Sequence, residues 1–169
     1  MYPDSGVISI DNRIVSRMTF FDLEKVRSKI SMVFQFGALF DSMTVGQNIA
    51  LGLNKMTDLE NNEIRERILE TLEEVGMEGS EDKYPGELSG GMKKRVGIAR
   101  AIIKRPLLLL ADEPVASLDP KAANLILSLL KKINKEFGTT ILCNLHQVDL
   151  AKKYSDRLVG LLDGKIIFD

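Results

Sequence analysis

The feature that most constrains the fold of this chain is a series of short apolar runs separated by segments with helical periodicity. In the intervening segments apolar residues recur every three or four positions, as they do over residues 64–75. Buried strands that alternate with amphipathic helices are typical of a largely parallel sheet with helices on both faces. The sequence therefore predicts an α/β fold. The runs that predict its strands are residues 30–35 (ISMVFQ), 107–111 (LLLLA) and 139–144 (TTILCN). GVISI (6–10) predicts a further short strand near the N-terminus.

Local signals predict several element boundaries. Ser89 is a favourable N-cap, Pro120 suits the first position of a helix, and Gly138 suits a helix end. Asp163 and Gly164 form a dipeptide that is typical of a tight hairpin turn. These signals predict a helix from Ser89, a second helix that ends at Gly138, and a C-terminal hairpin.

Residues 36–85 interrupt the alternation of strands and helices, because helical patterns follow one another there without a strand between them. We predict a helical subdomain over residues 36–85. It is inserted into an α/β core formed by residues 1–35 and 86–169. We find no internal repeat in the chain.

Composition excludes some classes of partner. With 23 basic and 24 acidic side chains in 169 residues, the net charge of −1 gives no general attraction for nucleic acid, and we expect no such partner. The single Cys143 cannot form an internal disulfide, which fits the cytosol. No run approaches the ~20 apolar residues of a membrane helix, and the first residues lack the pattern of a secretion signal. We expect a chain that is soluble by itself, which leaves docking onto a membrane partner open.

Polar residues of chemical interest follow each of the three predicted strands. They are Gln35, the pair Asp112 and Glu113, and the only histidine, His146. The carboxyl ends of parallel strands meet at one edge of a sheet, so we expect one constellation. Asp112 is suited to hold Mg²⁺ while Glu113 faces a reacting phosphate. Two alternatives stay open: the acid pair also suits a capped strand exit, and a single histidine also suits a structural role.

The stretch ELSGGMKKRVGIAR (87–100) indicates a helix N-terminus that is open to an anion. Gly90 and Gly91 after Ser89 leave the first backbone amides accessible, and the helix dipole favours a phosphate there. The alternative is an ordinary capped helix. We expect the basic residues on and just after this helix to form a solvated face; they are Lys93, Lys94, Arg95, Arg100 and Lys104.

Together these motifs resemble the ATP-binding cassette (ABC) ATPases over essentially the whole chain. The residues that carry the resemblance are LSGGM (88–92), LLLLADEP (107–114), SLD (117–119), Gln35 and His146, in that family's order. The resemblance implies a P-loop NTPase-like α/β fold, ATP and Mg²⁺ as cofactors, and ATP hydrolysis. It also implies a dimer of cassettes that is coupled to a membrane permease.

Four residues take catalytic roles by this resemblance. Gln35 is implied to contact Mg²⁺ and the attacking water, and Asp112 to support Mg²⁺. Glu113 is implied to be the general base, and His146 to contact the γ-phosphate.

Another four residues are implied to act across the dimer. Ser89, Gly90 and Gly91 contact the γ-phosphate of ATP held by the opposite subunit. Asp119 links the two sites.

The sequence contains no GxxxxGK[ST] phosphate loop. Residues 3–11 (PDSGVISID) resemble the stretch that follows the phosphate-loop helix in the family. We therefore expect an N-terminally shortened cassette that lacks the first strand and the phosphate-loop helix. By itself it should hydrolyse ATP weakly or not at all, and it should expose apolar surface at an unpaired sheet position.

Two subfamilies are represented in the resemblance. Residues 32–53 and LSGGMKKRVGIARAI (88–102) are similar to lipid-importer cassettes of the Mla type, whereas ADEPVASLDP (111–120) and residues 144–169 are similar to phosphonate-importer cassettes. We expect an importer subunit that lies on the inner, cytoplasmic face of the membrane and docks on its permease through residues 36–85. The alternatives are a non-catalytic cassette fragment that binds an intact partner, and an ABC ATPase of DNA repair or translation.

Overall fold

The computed structural model describes residues 4–35, 37–53 and 59–169. Residues 36 and 54–58 of the predicted helical subdomain lie outside the described residues. Within the described residues the strands are β1 Ser9–Ile10, β2 Arg13–Ile14, β3 Ile30–Val33, β4 Leu108–Asp112, β5 Thr140–Asn144, β6 Gly160–Leu162 and β7 Lys165–Phe168. The α-helices are α1 Phe20–Arg27, α2 Val45–Ala50, α3 Asn61–Glu74, α4 Gly90–Ile102, α5 Pro120–Phe137 and α6 Val148–Tyr154. Short 3-10 turns cover Val15–Arg17, Leu51–Leu53 and Pro85–Glu87.

The three apolar runs form one parallel sheet in the order β3-β4-β5. Ile30 pairs with Leu108, and Leu108 pairs with Thr140, so the three strands start at the same level. Their connections pass through helices, as parallel strands require. The predicted α/β fold with a largely parallel sheet is confirmed.

The two faces of this sheet are unequally covered within the described residues. Side chains alternate across a strand, so Leu109 and Ala111 point to one face and are 0% and 3% exposed. Met32, Leu110 and Leu142 pair across the sheet and point to the other face. Met32 is 40% exposed and Leu142 is 65% exposed. Helices α4 and α5 close the first face and complete the main core with it.

Capping residues define the helices around the core. The Ser89 hydroxyl accepts a hydrogen bond from the amide of Met92 at the start of α4. Asp119 caps α5, whose first residue is Pro120, and α5 ends at Gly138 with φ 66°. A left-handed residue at that point suits glycine, which has no Cβ to clash. The three predicted boundaries at Ser89, Pro120 and Gly138 are confirmed.

Helices α2 and α3 lie in the region of the predicted subdomain. Thr44 and Gln47 form a capping box at the start of α2. The buried amide of Asn48 accepts a hydrogen bond from the amide of Phe40 and donates to the carbonyl of Met43. This side chain therefore fixes the loop before α2.

Two hairpins differ in how well the sequence predicted them. Asp163 and Gly164 take φ 48° and 74° in the turn between β6 and β7, as the sequence predicted. At the N-terminus only Ser9–Ile10 of the predicted strand is paired. Its partner is the two-residue strand Arg13–Ile14, which limits the ladder. None of the described helices is long and apolar enough to cross a membrane.

Candidate functional site

The ends of the three parallel strands bring the predicted polar residues to one edge of the sheet. Asp112 pairs with Asn144 at the last level of β4 and β5. Gln35 follows β3 by two residues, and His146 follows β5 by two residues. The predicted convergence of these residues is confirmed as geometry, whereas the role of each stays a prediction.

Glu113 is the centre of this cluster, because each of its two carboxylate oxygens lies within hydrogen-bond distance of another side chain. The Gln35 Nε2 donates to Oε2 at 3.1 Å. The Nε2 of His146 lies 2.7 Å from Oε1. The Glu113 side chain is 28% exposed, whereas that of His146 is 81% exposed. The carboxylate is therefore partly shielded, and the imidazole stands at the solvent side.

Asn144 connects the two acids, and the sequence reasoning missed it. Its Nδ2 donates to Asp112 Oδ1 at 2.8 Å, and its Oδ1 accepts from the Glu113 amide at 2.6 Å. The signal was present in the sequence, because Asn144 ends the apolar run 139–144, and the other candidates also lie at or near the ends of apolar runs. The Asn144 side chain thus binds the side chain of Asp112 through its Nδ2 and the backbone of Glu113 through its Oδ1.

The donor set at this edge fits a magnesium ion. Among the described residues no three His, Cys, Asp or Glu side chains form a metal cluster. Magnesium bound with nucleotide requires only one or two carboxylates, since water and phosphate oxygens complete its six ligands. Asp112, Glu113 and Gln35 supply oxygen donors of that kind.

Two of the five basic residues that we expected on a solvated face, Lys94 and Arg100, instead donate hydrogen bonds to backbone carbonyls of the loops at the site. Lys94 is 6% exposed and donates to the carbonyl of Gln35 and, at 3.4 Å, to that of Glu113. Arg100 donates to the carbonyls of Gly37 at 2.8 Å and Ala38 at 2.7 Å. The prediction was wrong for these two, because this side of α4 packs against polar backbone, which helical periodicity of apolar residues does not reveal.

Burial acts on the charge of Lys94. Desolvation lowers the pKa of its ammonium group, and the nearby carboxylate of Glu113 opposes this shift. The ammonium group therefore belongs electrostatically to the same cluster as Glu113.

The residues of the predicted signature line a second site, a cleft of about 530 Å³. Ser89 and Gly90 are exposed at the start of α4, and Asp119 lies across the cleft at the start of α5. A Cβ atom added at Gly90 or Gly91 would meet only ordinary contacts, at 4.0 and 3.9 Å. Packing within the chain therefore does not require either glycine, and the amides stay open to a ligand.

Residues with positive φ occur in the loops of both sites. Ala38 has φ 46°, Glu113 has φ 43° and Ser117 has φ 62°. Such values cost energy for residues with a Cβ, and they cluster at functional sites in proteins. The loops after β3 and β4 share this property.

Comparison with known proteins gives matches over almost the whole chain. The family model described as ABC transporter matches residues 1–116. A methionine import ATP-binding protein of Bacillus thuringiensis is 43% identical over 165 residues, which cover 98% of this chain and 48% of that protein. A phosphonates import ATP-binding protein of Halalkalibacterium halodurans is 43% identical over 174 residues, which cover 99% of this chain and 71% of that protein. The chain thus spans about half the length of the methionine-import relative.

Solved structures agree with these matches. A dimeric ATP-binding cassette in a post-hydrolysis state bound to ADP and Pi matches with a TM-score of 0.85 and 34% identity, over 99% of this chain and 74% of that one. The cbiO1 protein of Clostridium perfringens, part of the ABC transporter complex cbiONQ, matches with a TM-score of 0.91 and 35% identity, over 99% of this chain and 66% of that one. The motifs, the fold and these matches lead to one conclusion: the chain belongs to the family of ABC transporter ATP-binding cassettes.

Proposed function

We propose that this chain belongs to the ATP-hydrolysing subunit of an ABC importer and acts in a dimer of two cassettes. The observation that carries the proposal is the cluster around Glu113, where an amide, a second carboxylate and an imidazole meet at one sheet edge. These are the groups that phosphoryl transfer to water needs, because the protein's task is to position water and to stabilise charge.

Each residue of the cluster has a defined task in this proposal. Glu113 accepts the proton of the attacking water, and Gln35 orients that water through its amide. His146 donates a hydrogen bond to the terminal phosphate from the exposed side of the cluster. Asp112, held by Asn144, supports the magnesium ion. When bound, this ion supplies neutralisation of charge on the phosphate oxygens.

The signature cleft acts on a second cassette in this proposal. Ser89 and the amides after Gly90 and Gly91 face outward at a helix N-terminus, which favours an anion. Asp119 lines the same cleft and caps α5. In the proposed dimer it therefore lies both at the contact between the cassettes and at the start of α5. The ATP whose γ-phosphate Ser89 contacts belongs to the partner cassette.

The importer part of the proposal rests on the relatives named for methionine import and phosphonates import. The second of these relatives is of the phosphonate-importer type that residues 111–120 and 144–169 resemble. We propose, as the sequence predicted, that residues 36–85 form the subdomain that docks on a membrane permease at the cytoplasmic face. The transported compound is then set by the permease and not by the residues at the Glu113 cluster.

Substitution of Ser89 tests the trans-acting signature. The 169-residue chain is mixed with an intact cassette whose own signature serine has been replaced, and ATP turnover by the mixture is measured. We expect the wild-type chain to raise turnover about a hundredfold, since loss of one donor to a transition-state oxygen typically lowers kcat by about a hundredfold or more. The variant Ser89→Asp keeps an N-cap for α4 but places a negative charge before the phosphate, so it should not raise turnover.

The matched control is Ser155→Asp, which alters an exposed serine at the end of α6. This variant should stimulate as the wild-type chain does. Association of the two proteins is followed by sedimentation in the same samples. Equal stimulation by wild type and Ser89→Asp in associated dimers contradicts the proposal.

A further inference from the structure

Lys94 is a buried cation on α4, five positions after Ser89 along the chain. It is 6% exposed, and its ammonium group donates to the carbonyls of Gln35 and Glu113. An ammonium group has three donors and no acceptor, so burial requires acceptors from the protein. Here the acceptors are the backbones of the two residues whose side chains meet at 3.1 Å. One cation thus sets the spacing of two loops.

The same side of α4 holds the loop after Gln35 at two further positions. Gly97 lies one turn after Lys94, and a Cβ atom there would lie 3.3 Å from both the Cα and the carbonyl oxygen of Gly37. Arg100, another turn on, donates to the carbonyls of Gly37 and Ala38. The backbone of α4 at Gly97 therefore packs directly against the backbone of the loop at Gly37. Lys94 and Arg100, one turn before and one turn after Gly97, hold the loop by hydrogen bonds. Any displacement of α4 displaces this loop with it.

The loop after Glu113 is fixed to the same cation. The carbonyl of Glu113 also accepts from the amide of Ala116 at 3.1 Å, which closes a turn. Lys94 contacts this turn from the helix side, and Asn144 contacts it from the sheet side through the Glu113 amide. Removal of Lys94 leaves the hydrogen bond from the Asn144 side in place and takes away the one from α4.

We propose that Lys94 is a positioning residue that couples the signature helix to the Gln35–Glu113 pair. A shift of α4 at Ser89 is then transmitted through the ammonium group to both loops at once. The inference deepens the proposed function, and it rests on that function for its effect on turnover. The coupling itself is a property of the chain without nucleotide.

Amide hydrogen exchange by NMR on the 169-residue chain tests the coupling. The reporters are the amide of Gly37, which bonds to the carbonyl of Phe34 at 2.9 Å, and the amide of Ala116. In Lys94→Met we expect both reporters to exchange about tenfold faster, since a hydrogen bond to a charged group is lost on each loop. Reporters in the middle of α5 should keep their rates within about twofold, because this helix does not depend on Lys94.

Two further variants make the result specific. Lys94→Gln has nearly the volume of the methionine variant but keeps a donor of shorter reach, so the nearer acceptor, the carbonyl of Gln35, stays bonded. Its Gly37 amide should exchange more slowly than that of Lys94→Met. The control is Lys93→Met, because the Lys93 side chain makes no hydrogen bond or ion pair within the part of the chain that the structure describes. It should exchange as wild type does.

Unchanged exchange at Gly37 and Ala116 in Lys94→Met overturns the inference. If exchange rises uniformly through α5 as well, the glutamine variant decides: equal rates at Gly37 in the two variants overturn the inference, and slower exchange in Lys94→Gln supports it.

Turnover in the mixed dimer gives a second readout. The ATP hydrolysed in that mixture is held by the intact cassette, so Lys94 acts on it only through the position of α4 and Ser89. Release of α4 from the two loops in Lys94→Met should lower kcat about tenfold and leave KM for ATP within about twofold, because Lys94 lies outside the signature cleft. A raised KM with unchanged kcat contradicts a positioning role. If the wild-type chain gives no stimulation, the proposed function fails, while the exchange experiment still decides the coupling.

Discussion

Asn144 shows at the scale of single residues how the site is held together. Its side chain amide donates to Asp112 and accepts from the amide of Glu113. A carboxylate at this position accepts hydrogen bonds but cannot donate when ionised. Both hydrogen bonds therefore require an amide at position 144. Aspartate has nearly the same shape but cannot donate when ionised, so Asn144→Asp tests this requirement.

We expect Asn144→Asp to lower the free energy of unfolding by about 2 kcal/mol at pH 8, because a donor is lost and a second carboxylate faces Asp112. The like charge raises the pKa of the new carboxyl in the folded state above its unfolded value. The cost is therefore full at high pH and is relieved as pH falls through the folded pKa. Urea unfolding at pH 8 and at pH 5 measures the difference.

Asn61→Asp is the control for this prediction, because Asn61 is exposed at the first position of α3. An added carboxylate there meets the positive end of the helix dipole and should change stability by about 0.5 kcal/mol or less. An equal cost of Asn144→Asp at both pH values contradicts the account of Asn144.

The residues that the sequence revealed and those that it concealed differ in what surrounds them. Gln35, Glu113 and His146 are polar residues at or within two positions of the end of a predicted strand, so the contrast with the apolar run marks them. Lys94 lies among other basic residues of a helix, and nothing local separates a buried lysine from a solvated one. Its burial depends on the loop from Gln35 to Ala38, which is distant in sequence and close only in the fold.

At the scale of elements, Arg105 joins the ends of three helices. It follows α4, its guanidinium group forms a two-pronged ion pair with Glu74 at the end of α3, and it lies 3.9 Å from the ring centre of Phe137 at the end of α5. A planar guanidinium group matches both a carboxylate and an aromatic face. Helix α3 is thereby fixed to the core.

Arg105→Gln should lower the free energy of unfolding by about 1–2 kcal/mol, because Glu74 and Phe137 both lose their partner. Lys132→Gln is the control, since Lys132 forms an exposed pair with Glu136 at 3.9 Å within α5. An exposed pair of this kind contributes about 0.5 kcal/mol or less. Urea titration compares the two variants, and equal effects would show that Arg105 does not join the helices.

Element boundaries were predictable where one residue decides them. Ser89, Pro120 and Gly138 each satisfy a specific need of a helix end, and all three predictions are confirmed. The strand at residues 6–10 was less predictable, because its paired length depends on the partner Arg13–Ile14. A strand's own residues do not determine how far its neighbour extends.

At the scale of the whole molecule, the two faces of the parallel sheet are unequally covered within the described residues. Met32 and Leu142 lie on the less covered face, and the residues of the β6–β7 hairpin add Leu161 at 69% and Ile166 at 64% exposure. Apolar surface of this kind is typical of an interface or of a chain that associates with itself. The link between this surface and a missing first strand stays a prediction.

Leu142→Lys should reduce self-association of the 169-residue chain, because Leu142 is 65% exposed and a lysine there charges an outer strand of the parallel sheet. Sedimentation velocity over a range of concentrations measures the effect. Leu125→Lys is the control, since Leu125 is 48% exposed on α5, away from the sheet face. Equal reduction by both variants would indicate that net charge, and not this face, controls association.

The two contacts of Glu113 have a consequence for how ready the site is before nucleotide binds. Gln35 donates to one carboxylate oxygen, and the Nε2 of His146 lies beside the other. Each carboxylate oxygen has two lone pairs, so a water molecule can still approach Glu113 while both contacts are kept. If Glu113 is the base as proposed, its carboxylate is already held in one orientation, and no turning of this side chain has to accompany the reaction.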